Sequence, residues 1–67
     1  MTIMEIMEKC KVLQRAGYNV SFEVAYGETR IEHRKNETCE LITGFSMVDT
    51  ENQQMLKSVS DYLDSIK

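Results

Sequence analysis

The sequence predicts a single α+β domain over residues 1–67, a two-layer sandwich of helix, three-stranded antiparallel meander and helix. Apolar residues recur at every second position from Tyr18 to Tyr26, the spacing of a strand with one buried face. Two further alternating segments follow it. Apolar stripes at helical spacing lie before and after all three. We therefore expect both helices to cover one face of the sheet and to leave its other face in water.

Residues 2–16 are predicted to form the first helix. Thr2 is a candidate N-cap, and Glu5, three residues later, completes a capping box. Gly17 follows the last turn, where a left-handed residue ends many helices. The apolar stripe that would face the sheet consists of Ile3, Ile6, Met7, Cys10 and Leu13.

The first two strands are predicted to form a hairpin whose two-residue turn is Gly27-Glu28, because a glycine in first position favours a type II′ turn. This register places Val24 opposite Ile31 on the inner face. It places Glu23 opposite Glu32 on the outer face, a like-charge contact that neighbouring arginines would offset. The inner face of the first strand would carry Tyr18, Val20, Phe22, Val24 and Tyr26.

A third strand is predicted from Cys39 to Met47, joined to the second by a three-residue turn, Arg34-Lys35-Asn36. Its outer face would carry Glu40, Ile42, Gly44 and Ser46. Its inner face would carry Cys39, Leu41, Thr43, Phe45 and Met47.

The last helix is predicted within residues 51–67, with Thr50 or Asp49 as its N-cap. Almost every residue outside its apolar stripe is polar, which is typical of a helix that covers a core on one side only. The stripe consists of Met55, Leu56, Val59, Tyr62, Leu63 and Ile66.

Composition limits the class of protein. The chain is 42% hydrophobic and 28% charged, as expected of a folded domain. A net charge of −3 gives no overall attraction to nucleic acid or to anionic membranes. There is no basic leader and no segment of membrane-spanning length, and Cys10 and Cys39 are too few for a disulfide scaffold. We expect two reduced, buried thiols and a cytoplasmic location; a disulfide between Cys10 and Cys39 would require the fold to bring the two positions together.

Chemistry-bearing residues are sparse. His33, Cys10 and Cys39 show none of the short spacings that bind metals, and the three glycines are isolated rather than grouped around a phosphate. His33 is predicted to lie opposite Phe22, half-covered, in a structural role. The sequence therefore predicts no enzyme activity, no cofactor and no metal site.

The outer sheet face and the following turn are the predicted partner-binding surface, with protein as the expected partner. Small phage-encoded inhibitors, including some anti-CRISPR proteins, are similar to this chain in size, acidic charge and helix–sheet–helix order. That resemblance implies an inhibitor or regulator of another protein. The predicted surface consists of Glu23, Arg30, Glu32, Arg34, Lys35 and Glu40.

Nucleic-acid binding is the second hypothesis, with Arg30, Arg34 and Lys35 on the phosphates. The order of elements resembles the double-stranded-RNA-binding domain over nearly the whole chain. That family has a lysine-rich start to its final helix, whereas residues 50–54 here carry no cation. The resemblance is one of architecture.

Self-association would add burial to so small a domain. The third strand lies at a sheet edge and is rich in apolar residues, so pairing across a two-fold axis would extend the sheet. Glu40 acts against uncontrolled pairing. The sequence favours homodimer and monomer equally.

Overall fold

The fold is the predicted α-β-β-β-α sandwich. A computed structural model describes residues 1–66. The sheet order is β1-β2-β3 with antiparallel neighbours, so β2 is central and the other two strands are edges. The elements are α1 (Ile3–Arg15), β1 (Asn19–Ala25), β2 (Glu28–Arg34), β3 (Leu41–Met47) and α2 (Gln53–Ile66).

Helix α1 begins and ends as predicted. The Thr2 side chain accepts a hydrogen bond from the backbone N–H of Glu5, 3.3 Å away, and the Glu5 carboxylate lies 3.4 Å from the Thr2 hydroxyl. Gly17 adopts a φ of +97° just after the helix, a conformation that only glycine reaches at little cost. The chain then turns directly into β1.

The first hairpin has a different turn from the predicted one. Ala25 pairs with Glu28, so the loop is Tyr26-Gly27, and both residues have positive φ (54° and 73°). These angles define a type I′ turn, whose twist matches that of the strands. Compared with the prediction the register moves by two residues, which preserves the faces but changes every partner. Glu23 now lies opposite Arg30, and the predicted like-charge contact is absent.

The second connection also differs. It has six residues, 35–40, in place of the predicted three-residue turn. A bulge follows, because His33 pairs with Thr43 while Arg34 pairs with Leu41. Ile42 is the extra, unpaired residue of this bulge. It moves Leu41 to the outer face, where the Leu41 side chain lies beside Gly44. The prediction that Cys39 and Leu41 lie on the inner face is therefore wrong.

Helix α2 begins later than predicted. Asn52 is its N-cap, since its side-chain oxygen accepts a hydrogen bond from the Met55 N–H at 3.1 Å. Asp49 instead stabilises the preceding turn by accepting from the Glu51 N–H. The prediction of Thr50 or Asp49 as the N-cap is therefore wrong. The predicted helix extended to Lys67, which lies outside the described residues.

The core forms between one face of the sheet and both helices. Side chains from α1, all three strands and α2 meet in a single cluster, so the prediction of two helices on one sheet face is confirmed. The buried apolar members are Ile6, Cys10, Leu13, Val20, Ile31, Met47, Leu56, Val59 and Leu63.

Coverage by the helices stops short of the β1–β2 turn. Val20 is buried and Phe22 is partly buried, but Val24 and Tyr26 are exposed. The prediction that all five alternating residues belong to the core is therefore wrong at its second half. The strand runs on past the helical layer, so its last apolar side chains have nothing above them.

The two cysteines lie in different environments and both are free thiols. Cys10 is 1% exposed in the core, and burial raises the pKa of its thiol to about 11. Cys39 is exposed in the β2–β3 loop, with a φ of 60°. The expectation of a buried thiol is confirmed for Cys10 and wrong for Cys39.

Candidate protein-binding surface

Four charged residues of alternating sign line the outer face of the central strand. Glu28, Arg30, Glu32 and Arg34 lie at every second position of β2, so all four point away from the helices. Arg30 Nε lies 2.7 Å from Glu28 Oε1, and an Arg34 terminal nitrogen lies 3.1 Å from Glu32 Oε2. The face is therefore a row of two ion pairs.

Arg30 stands at the centre of this row and has carboxylates on several sides. Glu28 lies two residues before it, Glu32 two residues after it, and Glu23 directly across on β1. The hydrogen bond and charge of Glu28 raise the pKa of Arg30, and Glu23 and Glu32 add smaller contributions. Three carboxylates and two guanidinium groups share this face, so its formal charge is −1.

Glu28 joins the row to the edge strand β3. Its Oε1 atom accepts hydrogen bonds from the Ser46 hydroxyl and from Arg30 Nε, each 2.7 Å away. Both hydrogen bonds lower the pKa of Glu28, and the one from Ser46 lowers it more. The carboxylate is thus held in place as an acceptor on the outer face.

The six residues predicted for the partner surface lie along one strip. Glu23, Arg30, Glu32 and Arg34 share the outer face. Lys35 continues the strip into the loop, where its ammonium lies 3.8 Å from a Glu40 carboxylate oxygen. The two predicted loop residues therefore neutralise each other at one end of the strip.

Sequence reasoning missed the other end of the sheet. Tyr26 is 107% exposed at the tip of the β1–β2 hairpin, and Val24 and Val48 are exposed at the same end. These three residues are called the tip patch below. Recognition of Tyr26-Gly27 as the turn, rather than Gly27-Glu28, would have placed Tyr26 outside the core.

The β2–β3 loop encloses a shallow cavity of about 320 Å³ with Tyr18, His33 and Ile42 on its wall. The Asn36 side-chain amide donates to the Gly17 carbonyl oxygen at 2.9 Å, which ties the loop to the end of α1. His33 shares a hydrogen bond with Tyr62 through Nδ1. His33 is half-buried, as predicted, but its β1 partner is Val20 rather than the predicted Phe22.

Residues 1–66 were compared with the requirements of a metal site and of a membrane-spanning helix. No group of three or more His, Cys, Asp and Glu side chains within residues 1–66 is arranged to hold a metal ion. In the same part of the chain, no helix combines the length and apolar character needed to span a bilayer.

Comparisons with protein-family models, with curated proteins and with solved structures find no match to this chain.

Proposed function

We propose that this chain is a non-catalytic module that binds another protein, with contacts from the tip patch and the adjoining outer face of the sheet. One observation carries the proposal. Tyr26, a large aromatic residue, occupies a left-handed backbone position (φ 54°) and is fully exposed.

Tyrosine at this turn position costs stability relative to asparagine, and its exposed side chain contributes no packing to the isolated fold. Non-glycine residues with positive φ lose about 1 kcal/mol or more, and asparagine or aspartate is the usual residue at this turn position. Tyr26 has no packing contact that would offset the cost, because its side chain is in solvent. Exposed tyrosine is the type of residue that contributes most to protein–protein interfaces. A contact role accounts for its presence.

The charge of the adjoining face indicates the chemistry of the partner. Glu23, Glu28 and Glu32 are balanced by Arg30 and Arg34 only in part. A partner with a basic surface beside an apolar pocket complements the acidic face and Tyr26 together. Inhibition or regulation of such a partner is the specific form that we propose, in the cytoplasm, where the exposed thiol of Cys39 would remain reduced.

A displayed random-peptide library tests this proposal even though the partner is unidentified. We expect selection on the immobilised protein to enrich peptides that combine Lys or Arg with an aromatic or aliphatic anchor. Tyr26→Asn should weaken their binding about tenfold or more, the effect of losing one interface anchor. Val12→Ala, which trims an exposed apolar residue of α1, is the matched control and should leave binding unchanged. Enriched peptides that bind Tyr26→Asn as well as wild type would contradict the proposal.

The nucleic-acid hypothesis meets an electrostatic obstacle. Arg30, Arg34 and Lys35 each lie within 4 Å of a carboxylate oxygen, at 2.7, 3.1 and 3.8 Å. A phosphate would have to compete with those partners while facing the other carboxylates of the strip. Titration of labelled DNA and RNA duplexes at low salt discriminates the two functions. Binding that falls steeply with salt and disappears in Arg34→Ala/Lys35→Ala would favour nucleic acid.

A further inference from the structure

Strand β3 is an edge strand without a single charged residue. Its sequence, Leu41–Met47, contains no Asp, Glu, Lys or Arg, although 28% of the chain is charged. Two of its apolar side chains are half exposed, Leu41 at 52% and Ile42 at 48%. Charges are a common protection of sheet edges against pairing, and the opposite edge strand β1 carries Glu23. Within β3, the bulge at Ile42 is the only feature that protects the edge against pairing.

The flank of α2 above β3 is also uncharged. Tyr62 identifies this flank, because its ring packs on Phe45 of β3 with centroids 5.6 Å apart. Ser58 and Ser65 donate their hydroxyls to carbonyl oxygens of the same helix, those of Gln54 and Tyr62, so neither hydroxyl requires an outside partner. At helical spacing, the residues on this flank are Gln54, Met55, Ser58, Tyr62 and Ser65.

The charged residues of α2 lie elsewhere on the helix. Asp64 pairs with Lys9 of α1 at 2.6 Å, on the side away from β3. Lys57 and Asp61 pair with each other at 2.8 Å on the exposed surface. The β3 side of the molecule, defined by β3 and the uncharged flank of α2, therefore combines unpaired strand backbone with a helix side free of charge.

We propose that the β3 side binds a second copy of this chain, by antiparallel pairing of the two β3 strands about a two-fold axis. An uncharged surface fits itself without like-charge repulsion, as a two-fold interface requires. Pairing would satisfy the edge backbone groups of both copies and produce a continuous six-stranded sheet. The inference does not depend on the proposed function, since the outer face of the sheet, Val24 and Tyr26 lie away from the β3 edge; within the tip patch, Val48 alone would lie beside the second copy.

The middle residue of β3 is Gly44, and an axis through it gives the closest approach of the two strands. Thr43 then lies opposite Phe45 of the second copy on the inner side, a β-branched and aromatic pair of the kind that stabilises sheets. A side chain at Gly44 is compatible with the single copy. Its Cβ would lie 3.6 Å or more from the nearest side-chain atoms of Leu41 and Glu32, an ordinary contact distance.

A matched pair of lysine variants tests the dimer. Ser21 of β1 and Gly44 of β3 flank the same residue, Glu32, from the two edges of the sheet. Gly44→Lys brings two ammonium groups together at the axis, whereas Ser21→Lys adds the same charge beside the same carboxylate at the other edge. We expect sedimentation of wild type to approach twice 7.8 kDa as concentration rises. Gly44→Lys should weaken association more than about tenfold and Ser21→Lys should leave it unchanged.

Several results would overturn the proposal: wild type that stays monomeric up to millimolar concentration, equal effects of the two lysines, or an effect of Ser21→Lys alone. Circular dichroism establishes that each variant is folded. Ile42→Lys, at a half-exposed position of the same edge, provides a second disrupting variant if Gly44→Lys proves unstable. It too should weaken the dimer.

Discussion

The Tyr62 hydroxyl lies 2.8 Å from His33 Nδ1, and this hydrogen bond joins the last helix to the central strand. The two rings are tilted by 58°, with centroids 5.9 Å apart, so they also share packing area. The contact explains why a histidine stands on the inner face of the sheet. The Nδ1 atom of His33 has the Tyr62 hydroxyl as its hydrogen-bond partner there.

Removal of the Tyr62 hydroxyl should cost little, and removal of the ring should cost much more. Tyr62→Phe keeps the ring on Phe45 and loses one part-buried hydrogen bond, so we expect a loss of about 1 kcal/mol in the free energy of unfolding. Tyr62→Ala should lose about 3 kcal/mol or more. Urea denaturation measures both. Equal losses would show that the ring does not contribute to packing.

Tyr26→Asn should stabilise the fold. Asparagine tolerates the left-handed backbone of the first turn position better than tyrosine, and no packing is lost because the Tyr26 side chain is exposed. We expect a gain of about 0.5–1 kcal/mol, measured as a rise in the thermal midpoint. Gly27→Ala is the converse variant. Gly27 has a φ of +73°, which strains any residue with a Cβ, and no atom lies within 4 Å of the position that an added Cβ would occupy. The substitution should therefore destabilise the fold through backbone strain alone.

Leu56→Ala should unfold most of the protein. Leu56 is fully buried between the helices and the sheet, and trimming such a side chain costs about 2–5 kcal/mol. Domains of this size have roughly 3–5 kcal/mol of stability in total. Far-ultraviolet circular dichroism at 25 °C measures the folded fraction. Val12→Ala, at an exposed position, should change stability by less than about 0.5 kcal/mol.

The two thiols should differ in reactivity. A thiol reagent at neutral pH should label exposed Cys39 without a preceding opening of the structure, and buried Cys10 much more slowly, through unfolding. Mass spectrometry of digested samples over time assigns each label. Urea should accelerate labelling of Cys10 and leave that of Cys39 nearly unchanged. Rapid labelling of both sites in buffer would contradict the burial of Cys10.

Burial of Cys10 should also make stability depend on alkaline pH. The folded state raises the pKa of this thiol from 9.0 to about 11, so the unfolded state loses its proton first. The contribution of the buried thiol is complete below pH 9 and declines as pH rises towards 11. It amounts to about 2–3 kcal/mol for two pKa units. Between pH 9 and pH 11, the free energy of unfolding of Cys10→Ala should therefore fall by about 2–3 kcal/mol less than that of wild type.

The carboxyl of Glu28 should titrate below its usual range because Ser46 and Arg30 bond to its ionised form. A lowered folded pKa contributes stability above the unfolded value, and this contribution is lost as pH falls through the folded one. Ser46→Ala should raise the pKa of Glu28 towards normal, as measured by carbon-detected NMR titration. Ser58→Ala, which removes a hydroxyl bonded only to its own helix, should not.

The helices could be predicted closely from sequence because their signals are local. The capping box of Thr2 and Glu5 and the glycine after α1 act within one turn of the chain. The outer-face positions of Arg30, Glu32 and Arg34 could be predicted for a similar reason, since they alternate along one strand, whereas Glu28 falls in the predicted turn and is missed. The N-cap of α2 is not fixed by sequence in the same way, because Asp49, Thr50 and Asn52 are all residue types that cap helices, and the structure uses Asn52.

The amino-acid sequence by itself determined the order of elements, the inner and outer faces of β1 and β2, and the identity of most core residues. Those features depend on periodicity, which short segments carry without outside help. The tertiary structure alone decided the turn at Tyr26, the bulge that moves Leu41 outwards, and the uncovered end of β1. The physical reason is that register and coverage depend on contacts between distant segments. A shift of two residues preserves the inner and outer faces of both strands while it changes every cross-strand partner.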